Sequence, residues 1–253
     1  MAGHSKWANI KHRKGAQDKK RAKEFTRAIK DISVAVKEGG GADPESNPSL
    51  RNAIANAKGV NMPKDTIQRA IKKASGADAE NYETVTFEGY GPNGIAIFVE
   101  CTTDNTNRTV ASVRSIFSKN GGSLGTNGSL EFLFDHKGVF TIAKQNLTQD
   151  IEELELELID GGATSFENET DFLTVYTDFN DFGKMNQKLE DLSIETKNAG
   201  LQRIPLNTTE LPIEDAIKIM NLIDKFEDDD DVQNVYHTLE ITDELIEALN
   251  EDQ

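Results

Sequence analysis

The chain has 253 residues, 36% of them hydrophobic and 28% charged, a formal net charge of -16 at pH 7 and a single cysteine, Cys101. Such a length suffices for two or three domains, and one cysteine excludes an internal disulfide and a cysteine-built metal site. No apolar run approaches the ~20 residues that span a membrane and none follows the basic N-terminus as in a secretory signal, so a reducing cytoplasm is the expected compartment.

Residues 4–23, HSKWANIKHRKGAQDKKRAK, carry eight Lys or Arg and one acid, Asp18. Residues 1–75 hold 17 Lys/Arg against 7 Asp/Glu, a net of +10, whereas the remaining 178 hold 11 against 37, a net of -26. Such asymmetry points to a polyanion partner for the basic part. Residues 1–16 read as an irregular basic arm. Phe25, Ile29, Ile32 and Val36 then fall on one face of a helix over 17–37, stopped by the glycines at 39–41. Asn47 and Pro48 cap and open a second helix, striped by Leu50, Ile54 and Ala57 and ended near Gly59. Pro63 opens a third, with Ile67, Ala70 and Ile71 inward. Three such stripes predict a small bundle with Lys and Arg outside.

From residue 82 the period becomes two. ETVTFEGYG (83–91) and GIAIFVECTT (94–103) read as strands separated by the turn GPNG. Val110, Val113 and Phe117 mark a helix ending at Gly121, and alternating Leu130, Phe132 and Phe134 predict another strand. Residues 137–206 then give strand 138–143, helix 149–160, strands 163–168 and 171–177, helix 179–191 and strand 200–206, the ferredoxin-like β-α-β-β-α-β order. A helix from about 213, a strand over 232–239 and a helix over 242–249 have no sheet of their own unless they join the strands of 83–135. The expected organisation is therefore multi-domain, α and α+β. A basic helical domain over 1–80 is followed by two ferredoxin-like α+β domains, one over 81–136 plus 207–253 and the other, 137–206, inserted in it.

The chemistry that these residues can carry is mostly recognition. Lys19, Lys20, Lys23, Arg27 and Lys30 stay close to one side of the first helix, with Arg21 nearby, and such a side can follow a phosphate backbone and release counterions. Lys6, Lys11, Arg13 and Lys14 extend the charge into the arm, His4 and His12 can assist a phosphate contact, and Trp7 can stack on an unpaired base. Lys64, Arg69, Lys72 and Lys73 continue it along the third helix. In CTTDNTNRTVASVR (101–114) a strand gives way to a helix, where backbone N–H groups can meet an anion; Asp104 and the asparagines also suit purely local capping. NGGSLGTNGS (120–129) lacks the phosphate-loop pattern and runs from helix to strand, the reverse of the order that chemistry needs. The four histidines have no metal-ligand spacing and no nucleophile motif is present. No catalytic residue, metal or cofactor is therefore expected. The acidic run EDDDD (227–231) reads as a solvated loop.

AGHSKWANIKHRK (2–14), MPKDTIQRAI (62–71), EGYGPNGIAI (88–97), TDNTNRT (103–109) and GGSLGTNGS (121–129) resemble, in order and spacing, the signatures of the YebC family, which includes the mitochondrial translational activator of cytochrome oxidase subunit I. The resemblance covers essentially the whole chain. It implies a helical N-terminal domain followed by two α+β domains, one inserted into the other. It also implies a nucleic-acid-binding regulator of gene expression, of the kind called a probable transcriptional regulator that binds DNA. The alternative that it implies is a ribosome-associated translation factor that relieves stalling at proline-rich stretches. His4 to Lys14 carry over as nucleic-acid contacts, and Thr103, Asp104, Asn105, Asn107 and Arg108 become candidate contact or interface residues. The expected partners are DNA or ribosomal RNA and possible ribosome association, without a membrane, for a monomeric protein that is not an enzyme.

Overall fold

The computed structural model describes residues 17–76, 79–147 and 149–251, and divides into two compact units. Of the described residues, those within 18–80 and 136–203 make one unit and those within 81–135 and 204–251 make the other.

The first unit opens with three helices, α1 (Gln17–Glu38), α2 (Pro48–Gly59) and α3 (Lys64–Ala74). Their stripes meet in a core of small residues around Ile32, Leu50, Ala57 and Ile67. Asn47 is fully buried and does three things: its Oδ1 accepts from Leu50 N at 3.0 Å, and its Nδ2 donates to Ala35 O and Gly41 O, both at 2.8 Å. It thus caps α2 and ties it to the end of α1. A side chain at Gly39 would strike Asn47, the added Cβ lying 2.3 Å from Oδ1.

The same unit holds the four-stranded sheet of β4 (Phe134–Ala143), β5 (Ala163–Asn168), β6 (Phe172–Asp178) and β7 (Thr196–Pro205), in the order β5-β6-β4-β7. Helices α5 (Ile151–Asp160) and α6 (Phe182–Asp191) cover one face, burying Phe140, Ile142, Leu154, Leu158, Leu173 and Met185. Chain order and sheet order are those of a ferredoxin-like domain. β7 is an edge strand, and α2 blunts it with side chains. Asn56 Nδ2 donates to Ala199 O at 2.8 Å while its Oδ1 accepts from Ala199 N at 2.9 Å, and Asn52 Nδ2 donates to the same carbonyl at 3.0 Å. The carboxamide of Asn56 pairs with the edge as a neighbouring strand would.

In the second unit, β1 (Glu83–Tyr90), β2 (Ala96–Thr103), β3 (Ser123–Leu124) and β8 (Val232–His237) form an antiparallel sheet in the order β3-β1-β2-β8. Helices α4 (Thr106–Lys119), α7 (Ile213–Glu227) and α8 (Asp243–Glu251) supply the core on one face, where Phe117 and Phe226 meet edge to face at 4.7 Å. Ala96 and Phe98 project to the other face and pack against Leu130 and Phe134.

Two expectations change here. The sheet of the second unit is not ferredoxin-like: by chain position its strands lie in the order 3-1-2-4, against 2-3-1-4 in the other sheet, and β1 is joined to its neighbour β2 by a hairpin, so only the 136–203 sheet has the β-α-β-β-α-β connectivity. Residues 130–134 are also not one strand. Glu131–Leu133 form a 3-10 turn, Phe132 is 69% exposed, and β4 starts only at Phe134. The alternation of Leu130 and Phe134 inward comes from one tight turn rather than from a pleat.

Candidate nucleic-acid interface

The arm residues His4, Lys6, Trp7, Lys11, His12, Arg13 and Lys14 lie outside the described residues, as do the side chains of Lys19 and Lys20. In α1, Arg21 is exposed, its guanidinium 5.4 Å from the centre of the Phe25 ring, and Lys23 and Arg27 are half-buried. Lys30 departs from the expected basic row: it is only 6% exposed, although it lies on the same side of the helix as Lys23 and Arg27. Its aliphatic stem serves packing rather than an open phosphate track.

The clearest basic surface is on α3. Ile67 and Ala70 face the core, and Lys64, Arg69, Lys72 and Lys73 stand exposed on the opposite side with Gln68 and Asp65. Arg69 is oriented by its own helix, donating from Nε to Asp65 O at 3.2 Å and from a terminal nitrogen to Thr66 Oγ1 at 3.2 Å. Lys73 reaches Glu80 at 2.6 Å, an exposed pair of small energetic weight.

The TDNTNRT segment forms a network of a different character. Asn105 caps α4, accepting from Arg108 N at 3.1 Å. Thr103 and Thr109 are buried, and their hydroxyls donate to Asp231 Oδ2 at 3.1 and 2.8 Å. Arg108 donates to the same oxygen and to Asp104 Oδ1, each at 2.8 Å. Its hydrogen bond to Asp231, followed by that to Asp104, raises the Arg108 pKa above its ordinary value, so the guanidinium stays charged and is matched by two carboxylates. Thr103, Asp104, Asn105 and Arg108 are thus brought together around Asp231, while Asn107 points into solvent from the first turn of α4. Chemically this is a brace between α4 and the start of β8.

The brace corrects the reading of the acidic run as a solvated loop. Asp231 is only 6% exposed, and its neighbour Asp229 accepts from Asp231 N at 2.9 Å and from Ser112 Oγ. Asp231, Asp229, Thr109 and Ser112 escaped the sequence reading because a run of five acids looks solvated whatever its last member does.

Glu88 was missed as well. This buried carboxylate accepts the backbone N–H groups of Gly128, at 2.6 Å, and Leu130, and its own carbonyl accepts from Gly125 N at 2.7 Å. The glycine segment 121–129 is therefore anchored at its base. Positive φ values at Gly121 and Gly128 account for two of its glycines.

Among the described residues, no group of three or more His, Cys, Asp or Glu could hold a metal ion, and no helix is long and apolar enough to cross a membrane.

Comparison with known proteins places these features in a family. Residues 5–77 match the model of the TACO1/YebC protein N-terminal domain, and residues 82–239 match that of the TACO1/YebC second and third domain. A protein of Amoebophilus asiaticus named probable transcriptional regulatory protein is 52% identical over 241 residues, spanning 94% of this chain and 98% of that one. A protein of Photobacterium profundum with the same description is 50% identical over 250 residues, 98% of this chain and 100% of its own. The crystal structure of a conserved hypothetical protein, Aq1575, from Aquifex aeolicus superposes with a TM-score of 0.80 at 37% identity, covering 91% of this chain and 93% of that one. The chain belongs to the TACO1/YebC family.

Proposed function

We propose that this protein is a cytoplasmic regulator of gene expression that works by binding nucleic acid through its basic N-terminal segment and the outer face of α3, without catalysing a reaction. The observation that carries the reading is the division of charge: +10 over residues 1–75 in a chain of net -16, with Lys64, Arg69, Lys72 and Lys73 exposed on one helix. Cations gathered on one segment of an acidic protein are the electrostatic footprint of a phosphate partner. The relatives named probable transcriptional regulatory protein support a regulatory role. Arg108 is not part of the contact, because Asp104 and Asp231 already occupy its guanidinium.

Phosphate charge does not distinguish DNA from ribosomal RNA, so the test recovers both. The intact protein is crosslinked in cells, and bound DNA and RNA are sequenced from one preparation, beside a variant with Lys6, Lys11, Arg13 and Lys14 changed to Gln. Enrichment of promoter DNA that depends on these residues supports transcriptional control; enrichment of one ribosomal RNA site assigns the protein to translation. Equal recovery by the variant and the parent refutes the reading.

A further inference from the structure

The outer face of α5 combines exposed apolar and acidic side chains in a way that neither the fold nor nucleic-acid binding uses. Leu154 and Leu158 face the core, while Leu156 is 68% and Ile159 52% exposed. These two are separated by three positions and are neighbours on the helix surface. Glu152, Glu153, Glu157 and Asp160 are exposed on the same side of the helix. Beyond its C-terminal end, a Cβ on Gly162 would lie 2.9 Å from that of Asp181, which brings the Phe179–Asp181 turn near the end of α5, where the half-exposed Phe179 ring lies 4.7 Å from that of His136. Two of the large apolar side chains left in water, Leu156 and Ile159, thus belong to the outer face of one helix.

The charge selects the occupant. Four carboxylates repel a phosphate backbone and an anionic lipid surface, and they complement lysine and arginine. An exposed pair of branched aliphatic residues offers apolar burial that a merely solvated acidic helix has no use for. We propose that the outer face of α5 docks a lysine- and arginine-rich segment of a partner protein that itself carries apolar side chains at helical spacing. Leu156 and Ile159 supply the anchor, and the carboxylates beside them exclude acidic competitors.

The test titrates the full-length protein into a fluorescent peptide of about 18 residues, with leucine at i, i+3 and i+4 spacing and lysine elsewhere, read by anisotropy. A second peptide has each leucine replaced by serine, keeping the charge. Binding of the leucine–lysine peptide is expected to weaken about tenfold with Leu156→Ser/Ile159→Ser. It should weaken and lose salt sensitivity with Glu152→Gln/Glu153→Gln/Glu157→Gln, and stay unchanged with Asp228→Asn/Asp230→Asn. All these positions are exposed, and far-UV circular dichroism verifies that each variant is folded. Equal binding of the serine–lysine peptide, or indifference to Leu156→Ser/Ile159→Ser, overturns the proposal. Sedimentation of the same variants covers the other occupants. Self-association lost with Leu156→Ser/Ile159→Ser would assign the face to a second copy, polynucleotide binding lost with it would assign the face to nucleic acid, and either result overturns the proposal.

Discussion

Replacing Asn56 by Ala tests whether a side chain can serve as the neighbour of an edge strand. Asn56 makes two hydrogen bonds with one residue, accepting from Ala199 N at 2.9 Å and donating to Ala199 O at 2.8 Å, and Ala199 is fully buried. After the substitution the carbonyl keeps Asn52 Nδ2 at 3.0 Å, but the amide has no partner left in the geometry described. An orphaned buried donor costs about 1–3 kcal/mol, and the second bond adds about 1 kcal/mol. The better helix propensity of Ala returns roughly 0.5 kcal/mol. The expected loss is therefore about 2 kcal/mol, or a Tm lower by about 6 °C for a unit of this size. Asn52→Ala removes one donor from a carbonyl that keeps another, so its cost should stay below about 1 kcal/mol. Urea melts followed by circular dichroism give both values, and hydrogen exchange of the Ala199 amide, accelerated only in Asn56→Ala, locates the effect. Equal losses in the two variants would refute the reasoning, because they would mean that Asn56 acts by packing alone.

Other consequences follow from the same geometry. Gly59→Ala would place a Cβ 1.9 Å from Lys197 O, so although Ala favours helix by about 1 kcal/mol the variant should be less stable, by roughly 1–3 kcal/mol on denaturant melts. Asp231→Ala strips Thr103, Thr109 and Arg108 of a shared acceptor and should destabilise by about 3 kcal/mol. Double-mutant cycles with Arg108→Gln should then show strong coupling. Because the Arg108 pKa is raised, the stability that this residue contributes is fully present below its ordinary value and is lost only above the raised one. Titration to moderately alkaline pH should leave the amide shifts of residues 103–109 unchanged. Glu88→Gln replaces one acceptor oxygen with a donor facing a backbone N–H, and exchange of the Gly128 and Leu130 amides should quicken markedly.

What could be read from the sequence was governed by local rules, and what could not was governed by tertiary partners. Asn47 and Pro48 are recognisable as a helix start because capping chemistry is confined to four residues. The β-α-β-β-α-β order of 137–206 follows from period alone, and β5 occupies 163–168 as the alternation predicts. Phe132 shows the limit of that rule, since a 3-10 turn can imitate one cycle of strand alternation. Lys30 shows another, because charge patterning does not register how far a long stem is buried. Asn52 and Asn56 read as ordinary polar helix residues, and only the edge of β7, more than a hundred positions away, gives them a task.

The proposed division of labour between the basic helices and the TDNTNRT segment follows from the same distinction. A motif of Thr, Asp, Asn and Arg at a helix start looks like an anion site, because free N–H groups and an arginine are what an anion seeks. Here Asn105 takes the N–H of Arg108, and the guanidinium is matched by Asp104 and Asp231 before any ligand arrives. A phosphate would have to displace a buried carboxylate that also holds Thr103 and Thr109, at the cost of leaving that charge unpaired. The exposed Lys64, Arg69 and Lys72 on α3 ask for no such exchange. Reversing the charge of Lys64 and Lys72 should therefore weaken polynucleotide binding and flatten its salt dependence, whereas Arg108→Gln should lower stability and leave the salt slope of binding where it was. A reduced slope in Arg108→Gln would move the phosphate contact to α4 and overturn this assignment.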